Sequence, residues 1–170
     1  MVQKETFRKP LNFLDKFERG NYMIKLKLQL CSETATAPTK AHPTDACFDL
    51  YADLGGKGHT VSIGPDSYAT IPTGIKTEIP EGYFAPIFCR SGMGINKHLR
   101  LSNSVGIIDA SYRGEWMVAL HNDGACSKVI THEDRIAQFT LLPILDFEIE
   151  ETTSLEASDR GEGGFGSTGN

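Results

Sequence analysis

Ser67-Tyr-Ala-Thr-Ile-Pro-Thr-Gly-Ile-Lys-Thr-Glu-Ile-Pro-Glu-Gly-Tyr-Phe-Ala-Pro-Ile-Phe-Cys89 holds three short strand-like runs, 67–73, 75–79 and 83–89. Pro80-Glu-Gly82 breaks the second from the third, and Gly64-Pro65 precedes the first. Runs this short, bounded by Gly and Pro, read as strands joined by turns. Upstream, Ile24-Lys-Leu-Lys-Leu-Gln-Leu30 alternates, with Ile24, Leu26, Leu28 and Leu30 on one face. That period of two predicts a half-buried strand. Downstream the pattern predicts strands over Gly106–Asp109, Glu115–His121, Ile136–Leu142 and Phe147–Glu150, with turns at Asn122-Asp-Gly124 and Pro143. Trp116, Val118 and Leu120 share one face of their run. No helical periodicity of 12 or more residues follows residue 23, and no internal repeat is visible. The expected class is all-β, a sandwich or jelly roll.

The ends differ from this middle. Leu11, Leu14 and Phe17 recur every third residue before Gly20, which permits a short amphipathic helix in an N-terminal extension, 1–22. That extension either caps the β domain or projects from it. The β domain is expected over 23–157. Residues 158–170 are Gly-rich and nearly free of aliphatic side chains, so they are expected to be a flexible C-terminal arm.

Composition narrows the function classes. The 170 residues carry a formal charge of -5, which gives no global field for nucleic acid. A few arginines can still bind a small anion. No stretch approaches the roughly 20 apolar residues of a membrane helix. No signal-like apolar core opens the chain, so a cytoplasmic protein is expected. Cys31, Cys47, Cys89 and Cys126 are not spaced as C-x-x-C, and the five histidines form no HExxH. Free thiols in a reducing compartment are therefore expected, rather than a zinc site or disulfides.

Three segments carry candidate chemistry. In Arg160-Gly-Glu-Gly-Gly-Phe-Gly-Ser-Thr-Gly169, Gly161, Gly163 and Gly166 match G-x-G-x-x-G in form. That motif needs a following helix, and only four residues remain. The stretch is either a plain Gly-rich tail or an arm bringing an arginine, a ring and two hydroxyls to an anionic ligand. In Gly106-Ile-Ile-Asp-Ala-Ser-Tyr-Arg-Gly-Glu115 an acid emerges from a strand into a turn. Taken alone it could be only an Asx-turn residue. In Phe88-Cys-Arg-Ser-Gly-Met-Gly94, Ser91 and Gly92 suit an anion nest, and the order lacks the nucleophile-elbow pattern.

Taken together, these segments resemble the motifs of the trimeric dUTPase family, in family order. The first resembles Ala46-Cys-Phe-Asp-Leu-Tyr-Ala52, and the second Arg90-Ser-Gly-Met-Gly94, preceded by Pro72-Thr-Gly-Ile75 and Ile79-Pro-Glu-Gly-Tyr83. The third resembles Gly106 to Glu115 with Asn103 upstream, the fourth Asp134-Arg-Ile-Ala-Gln138, and the fifth Arg160 to Gly169. The resemblance covers residues 24–170. The chain departs from it where Cys47 and Glu133 stand at positions the family commonly gives to Gly, and at Cys89.

The resemblance implies a distorted jelly-roll (β-clip) fold and a homotrimer with active sites shared between subunits. It implies hydrolysis of dUTP at the α–β phosphoanhydride to dUMP and pyrophosphate, supplying dUMP for thymidylate synthesis and limiting uracil in DNA. By this resemblance Asp109 is the catalytic base that directs water at the α-phosphorus. Arg90, Ser91 and Gly92 would hold phosphates; Arg160, Ser167 and Thr168, beside Gly166, would reach the terminal one. Asn103, in a β-hairpin with Gly106 and Ile108, would meet uracil. Tyr112 would lie under the deoxyribose, and Phe165 would stack on the base. Asp49, Arg135 and Gln138 would support the site. Mg2+ would be carried by phosphate and water rather than by a protein cage. A dCTP deaminase shares the fold but matches less around the third motif and lacks this tail. A zinc deaminase is excluded, because no H-x-E pairs with P-C-x-x-C. A nucleotide-binding regulator on an inactive scaffold would not need Asp109 and a complete tail. A jelly-roll lectin or capsid module would explain the strands but not the motifs.

Overall fold

A computed structural model describes residues 23–164. The expected helix around Leu11, Leu14 and Phe17, and the tail residues Phe165, Gly166, Ser167 and Thr168, lie outside the described residues. The strands are β1 (Lys27–Leu30), β2 (Phe48–Tyr51), β3 (Thr60–Ile63), β4 (Ser67–Pro72), β5 (Ile75–Glu78) and β6 (Tyr83–Phe88). Then come β7 (Leu99–Leu101), β8 (Gly106–Ile108), β9 (Met117–Asn122), β10 (Lys128–Thr131), β11 (Arg135–Phe139) and β12 (Leu142–Pro143). One π-helical turn, Gly92–Asn96, is the only helix among the described residues. None of their helices could span a membrane.

All pairing is antiparallel, as turn-rich short strands favour. The larger sheet centres on β6, which pairs with β8 on one edge and with β11 and β12 on the other; β2 lies outside β11. Pro86 sits within β6 and has no N–H to give a ladder. Opposite it, Thr140 and Leu141 belong to no strand, so the interruption between β11 and β12 falls where proline cannot donate. The second sheet runs β4-β9-β7, and two-stranded pairs β1-β5 and β3-β10 complete the fold.

The two larger sheets share one core. Trp116, just before β9, is fully buried and meets Phe139 of β11 edge-on at 4.9 Å. Phe139 in turn stacks on Phe48 of β2 at 5.9 Å. Edge-to-face and offset pairs of this kind add to the area they bury. Trp116, Val118 and Leu120 are all buried, as their shared face predicts. Asn122, expected only as a turn residue, is fully buried. Its Nδ2 donates to the carbonyls of Ile63, Gly64 and Cys126, and its Oδ1 accepts from Gly124 N–H. A buried amide is stable only with such partners.

Several expectations are corrected. Phe147–Glu150 forms no strand, and Phe147 and Ile149 are 83% and 85% exposed. Alternation supplies a face but not a neighbouring edge, and a strand needs both. The strand expected over 24–30 begins at Lys27, and Leu28 and Leu30 stay exposed, while Ile24 and Leu26 pack partly on the core. β2, β3, β7 and β10 were not expected as strands. Each has only three or four residues, a length at which alternation is a weak signal. The expected β-hairpin around Asn103 is a link between sheets, since β7 pairs with β9 and β8 with β6.

Candidate active site

β8 is three residues long and runs antiparallel to β6, with Gly106 opposite Ile87. A Cβ on Gly106 would come within 3.2 Å of Ile87 Cβ, so the strands meet here without an intervening side chain. The space above them is a cleft of about 260 Å³. Asn103, Gly106, Ile108, Asp109 and Tyr112 line it, five residues singled out by their motifs. Ile87, Ile107, Glu115 and Met117 line it as well and were not anticipated. Ile87 is legible only once its register opposite Gly106 is known. Glu115 closes the third motif but carries no functional signal by position.

Asp109 is exposed at the end of β8. Its main-chain carbonyl accepts from Tyr112 N–H at 3.1 Å, which closes the turn. Its carboxylate makes no hydrogen bond or ion pair with the described residues, so it is uncommitted and faces solvent. Arg113 folds back on the same turn, donating Nη1 to the carbonyls of Ala110 and Tyr112. The base candidate therefore sits on a turn braced by its own sequence.

The cationic motifs gather elsewhere. Arg90 Nε lies 2.7 Å from Asp49 Oδ1, and Arg135 Nη1 lies 3.2 Å from Asp49 Oδ2. Arg90 Nη1 also donates to Arg135 O, and Gln138 Nε2 to Cys89 O at 3.1 Å. A β-bulge at Ile136 shifts the β11–β2 register between Arg135 and Ala137. Bulges re-aim side chains, and this one accompanies the approach of Arg135 to Asp49. Burial pushes the Cys89 thiol up, and its Sγ donates to the carbonyls of Arg90 and Leu99. Cys89 thus pins the chain beside Arg90 rather than acting chemically. Ser91 and Gly92 follow at the exposed start of the π-helical turn, with open space around Gly92.

None of Arg90, Ser91, Gly92, Asp49, Arg135 and Gln138 lines the cleft that holds Asp109. Arg160 lines it neither; it donates Nε to Gly163 O within its own turn. The cleft thus holds an uncommitted carboxylate, and the positioned arginines belong to a different set of contacts. Among the described residues no three His, Cys, Asp or Glu side chains converge as metal ligands. A single free carboxylate with nearby open space suits an ion that arrives on a polyphosphate and keeps its waters.

A family model for dUTPase matches residues 33–169. The deoxyuridine 5'-triphosphate nucleotidohydrolase of Anaplasma marginale is 42% identical over 149 residues, covering 86% of this chain and 99% of that protein. The protein of that name from Gloeobacter violaceus is 38% identical over 148 residues, covering 86% and 97%. Among solved structures, the dUTPase of Staphylococcus bacteriophage 80alpha with dUPNHPP superposes with a TM-score of 0.75 at 30% identity, covering 86% of this chain and 99% of that one. A variant dUTPase of phage phi11 of S. aureus, described as coordinating a structural Mg(II) ion, gives 0.68 at 26% identity, with 78% and 99% covered.

Proposed function

This chain belongs to the dUTPase family, and from that membership we propose how its own residues carry out the reaction. The protein is a jelly-roll-type β enzyme, a dUTP diphosphatase that hydrolyses dUTP to dUMP.

Asp109 orients a water and takes its proton while the oxygen attacks the α-phosphorus. The bond to the bridging oxygen breaks and pyrophosphate leaves. Base catalysis of this kind is worth about 10²–10⁴-fold. The rest comes from positioning and charge stabilisation. Arg90, Ser91 and Gly92 bind the phosphates, with Arg90 oriented by Asp49 and its backbone fixed by Gln138. Asn103 pairs with the polar edge of uracil, Gly106 and Ile108 close the base site, and Tyr112 packs under the deoxyribose. Arg160, Ser167 and Thr168 reach the terminal phosphate, and Phe165 with Gly166 covers the base. When bound, Mg2+ would neutralise charge on the triphosphate. Phosphate oxygens and water would hold it, since no cluster of ligating side chains occurs among the described residues.

The observation that carries this reading is the split site. The cleft lined by Asp109 and Tyr112 does not include Arg90 or Asp49, which are organised as a set of their own. A homotrimer with sites shared between subunits reunites them, in a closed ring of heterologous contacts. The stretch 145–150 supports an assembly. Leu145, Phe147 and Ile149 alternate with acids and are exposed in the isolated chain. Such a row of apolar side chains is costly to leave in water. The reaction supplies dUMP for thymidylate synthesis and limits uracil in DNA. The four free cysteines fit a cytoplasmic enzyme.

The test is pyrophosphate release from dUTP, dTTP, dCTP and UTP, with and without Mg2+, with the mass measured by sedimentation. Strong preference for dUTP, dependence on Mg2+ and a mass of three chains are expected. Ammonia from dCTP, or an active monomer, would overturn the reading.

A further inference from the structure

We propose that Glu115 and Gly114 set the sugar selectivity of this site by fixing Tyr112. The inference rests on the reading that Tyr112 packs under the deoxyribose.

Tyr112 is 44% exposed, so packing alone holds it weakly. Two contacts define its place. Its Oη donates to the main-chain oxygen of Glu115 at 3.0 Å. Its ring lies over Gly114 so closely that a Cβ there would overlap the ring carbons and the hydroxyl. The phenol is thus folded back on its own turn, and only glycine at 114 leaves room for it.

Glu115 is anchored in turn from outside the cleft. Its Oε1 accepts from Gly74 N–H at 2.8 Å. Trp116 N–H donates to Ile75 O at 2.9 Å, and Trp116 O accepts from both N–H and Oγ1 of Thr73. Gly74 has φ +67, and a Cβ there would collide with Asp53 and Ala35. The backbone that presents its N–H is therefore one that glycine adopts readily and other residues rarely do. A carboxylate accepting from this N–H forms a charge-assisted bond, stronger than a neutral one. The acceptor for Tyr112 is consequently fixed to the core rather than to a mobile loop.

This matters because rejecting a substrate that only adds a hydroxyl is difficult. A hydrophobic pocket alone rejects an isostere that merely adds a hydroxyl by only about a hundredfold. A wall that cannot move does better, provided neighbouring contacts lock it. Glu115 touches no phosphate or base in this scheme; it is a positioning residue acting through Tyr112.

The test measures kcat/KM for dUTP and UTP on the full chain. Glu115→Ala is expected to lower the dUTP-to-UTP ratio about tenfold, chiefly through better use of UTP. Glu115→Gln keeps an oxygen that can accept from Gly74 N–H and should restore most of the ratio. Gly114→Ala, which displaces the ring directly, should lower the ratio as well. A merely structural role would lower the melting temperature and leave the ratio alone. A wild-type enzyme that ignores dUTP would sink the parent reading. A selective wild type with an unchanged ratio in Glu115→Ala would sink this inference alone. If Glu115→Ala does not fold, an unchanged ratio in Gly114→Ala overturns it.

Discussion

Asp49 holds two arginines at once, Arg90 through Oδ1 at 2.7 Å and Arg135 through Oδ2 at 3.2 Å. Its side chain is only 11% exposed, so the pair is less screened than a surface ion pair. One carboxylate between two cations leaves net positive charge for a polyphosphate while fixing where that charge sits. Asp49→Asn is expected to raise KM for dUTP about tenfold, with a smaller fall in kcat. Stability should drop by about 1.5–3 kcal/mol, the worth of a hydrogen bond to a charged group. Steady-state kinetics and a melt followed by Trp116, the single tryptophan, check both.

Asp109 stands in contrast, with no partner for its carboxylate among the described residues. Asp109→Asn removes the base and little else, so turnover should fall about 10²–10⁴-fold. Affinity for a non-hydrolysable dUTP analogue, measured by calorimetry, should change less than threefold. Near-normal rates would show that another group takes the proton.

The arm is expected to act in catalysis rather than assembly. Ending the chain at Asp159 removes Arg160, Phe165, Ser167 and Thr168, and no core residue among those described. Turnover should fall by at least a hundredfold, while sedimentation still reports the same oligomer. Full activity of the shortened chain would take the arm out of the mechanism.

Asp53 gives a pH dependence of stability. Burial pushes its pKa up, but the hydroxyls of Ser32 and Thr34, Gly55 N–H and nearby His132 outweigh that and hold it below the ordinary value. His132 Nδ1 itself accepts from Leu54 N–H at 3.1 Å. A carboxyl with a depressed folded-state pKa stabilises fully above its unfolded pKa, about 3.9. That stabilisation is lost as pH falls through the folded value. The gap in melting temperature between wild type and Asp53→Asn should therefore be largest near neutrality and shrink below about pH 4. A gap that widened on acidification would contradict this assignment.

Glu133 occupies the left-handed region, φ +67, at a position where the resembling family commonly has glycine. Its side chain is exposed and, among the described residues, makes one long contact, 3.5 Å from Thr36 Oγ1. A side chain in that region costs on the order of 1 kcal/mol. Part of the gain from glycine is offset by its freer unfolded state. Glu133→Gly should raise stability by about 0.5 kcal/mol in urea titration and leave turnover unchanged. A clear loss of stability would mean the Thr36 contact outweighs the strain.

Much of this was readable along the chain. The face shared by Trp116, Val118 and Leu120 needs only alternation, and Asp109, Tyr112 and Arg90 are named by motifs a few residues long. Leu99–Leu101 was not readable, because pairing rather than pattern makes it a strand. Phe147–Glu150 shows the converse, a sound pattern with no edge in its own chain.

Residue type and short spacing are local properties, so the chemistry on offer and the all-β class follow from the order of amino acids. Partners are not local. Gly74 and Glu115 are 41 residues apart, and Asn122 reaches Ile63 from 59 residues away. Only packing brings such pairs within hydrogen-bond distance, because a bond between them must offset the entropy of closing the intervening chain. The tertiary structure alone therefore decided that Tyr112 bonds to the main chain of Glu115, that Asn122 is a buried latch, and that Asp109 opens on a cleft that Arg90 does not line.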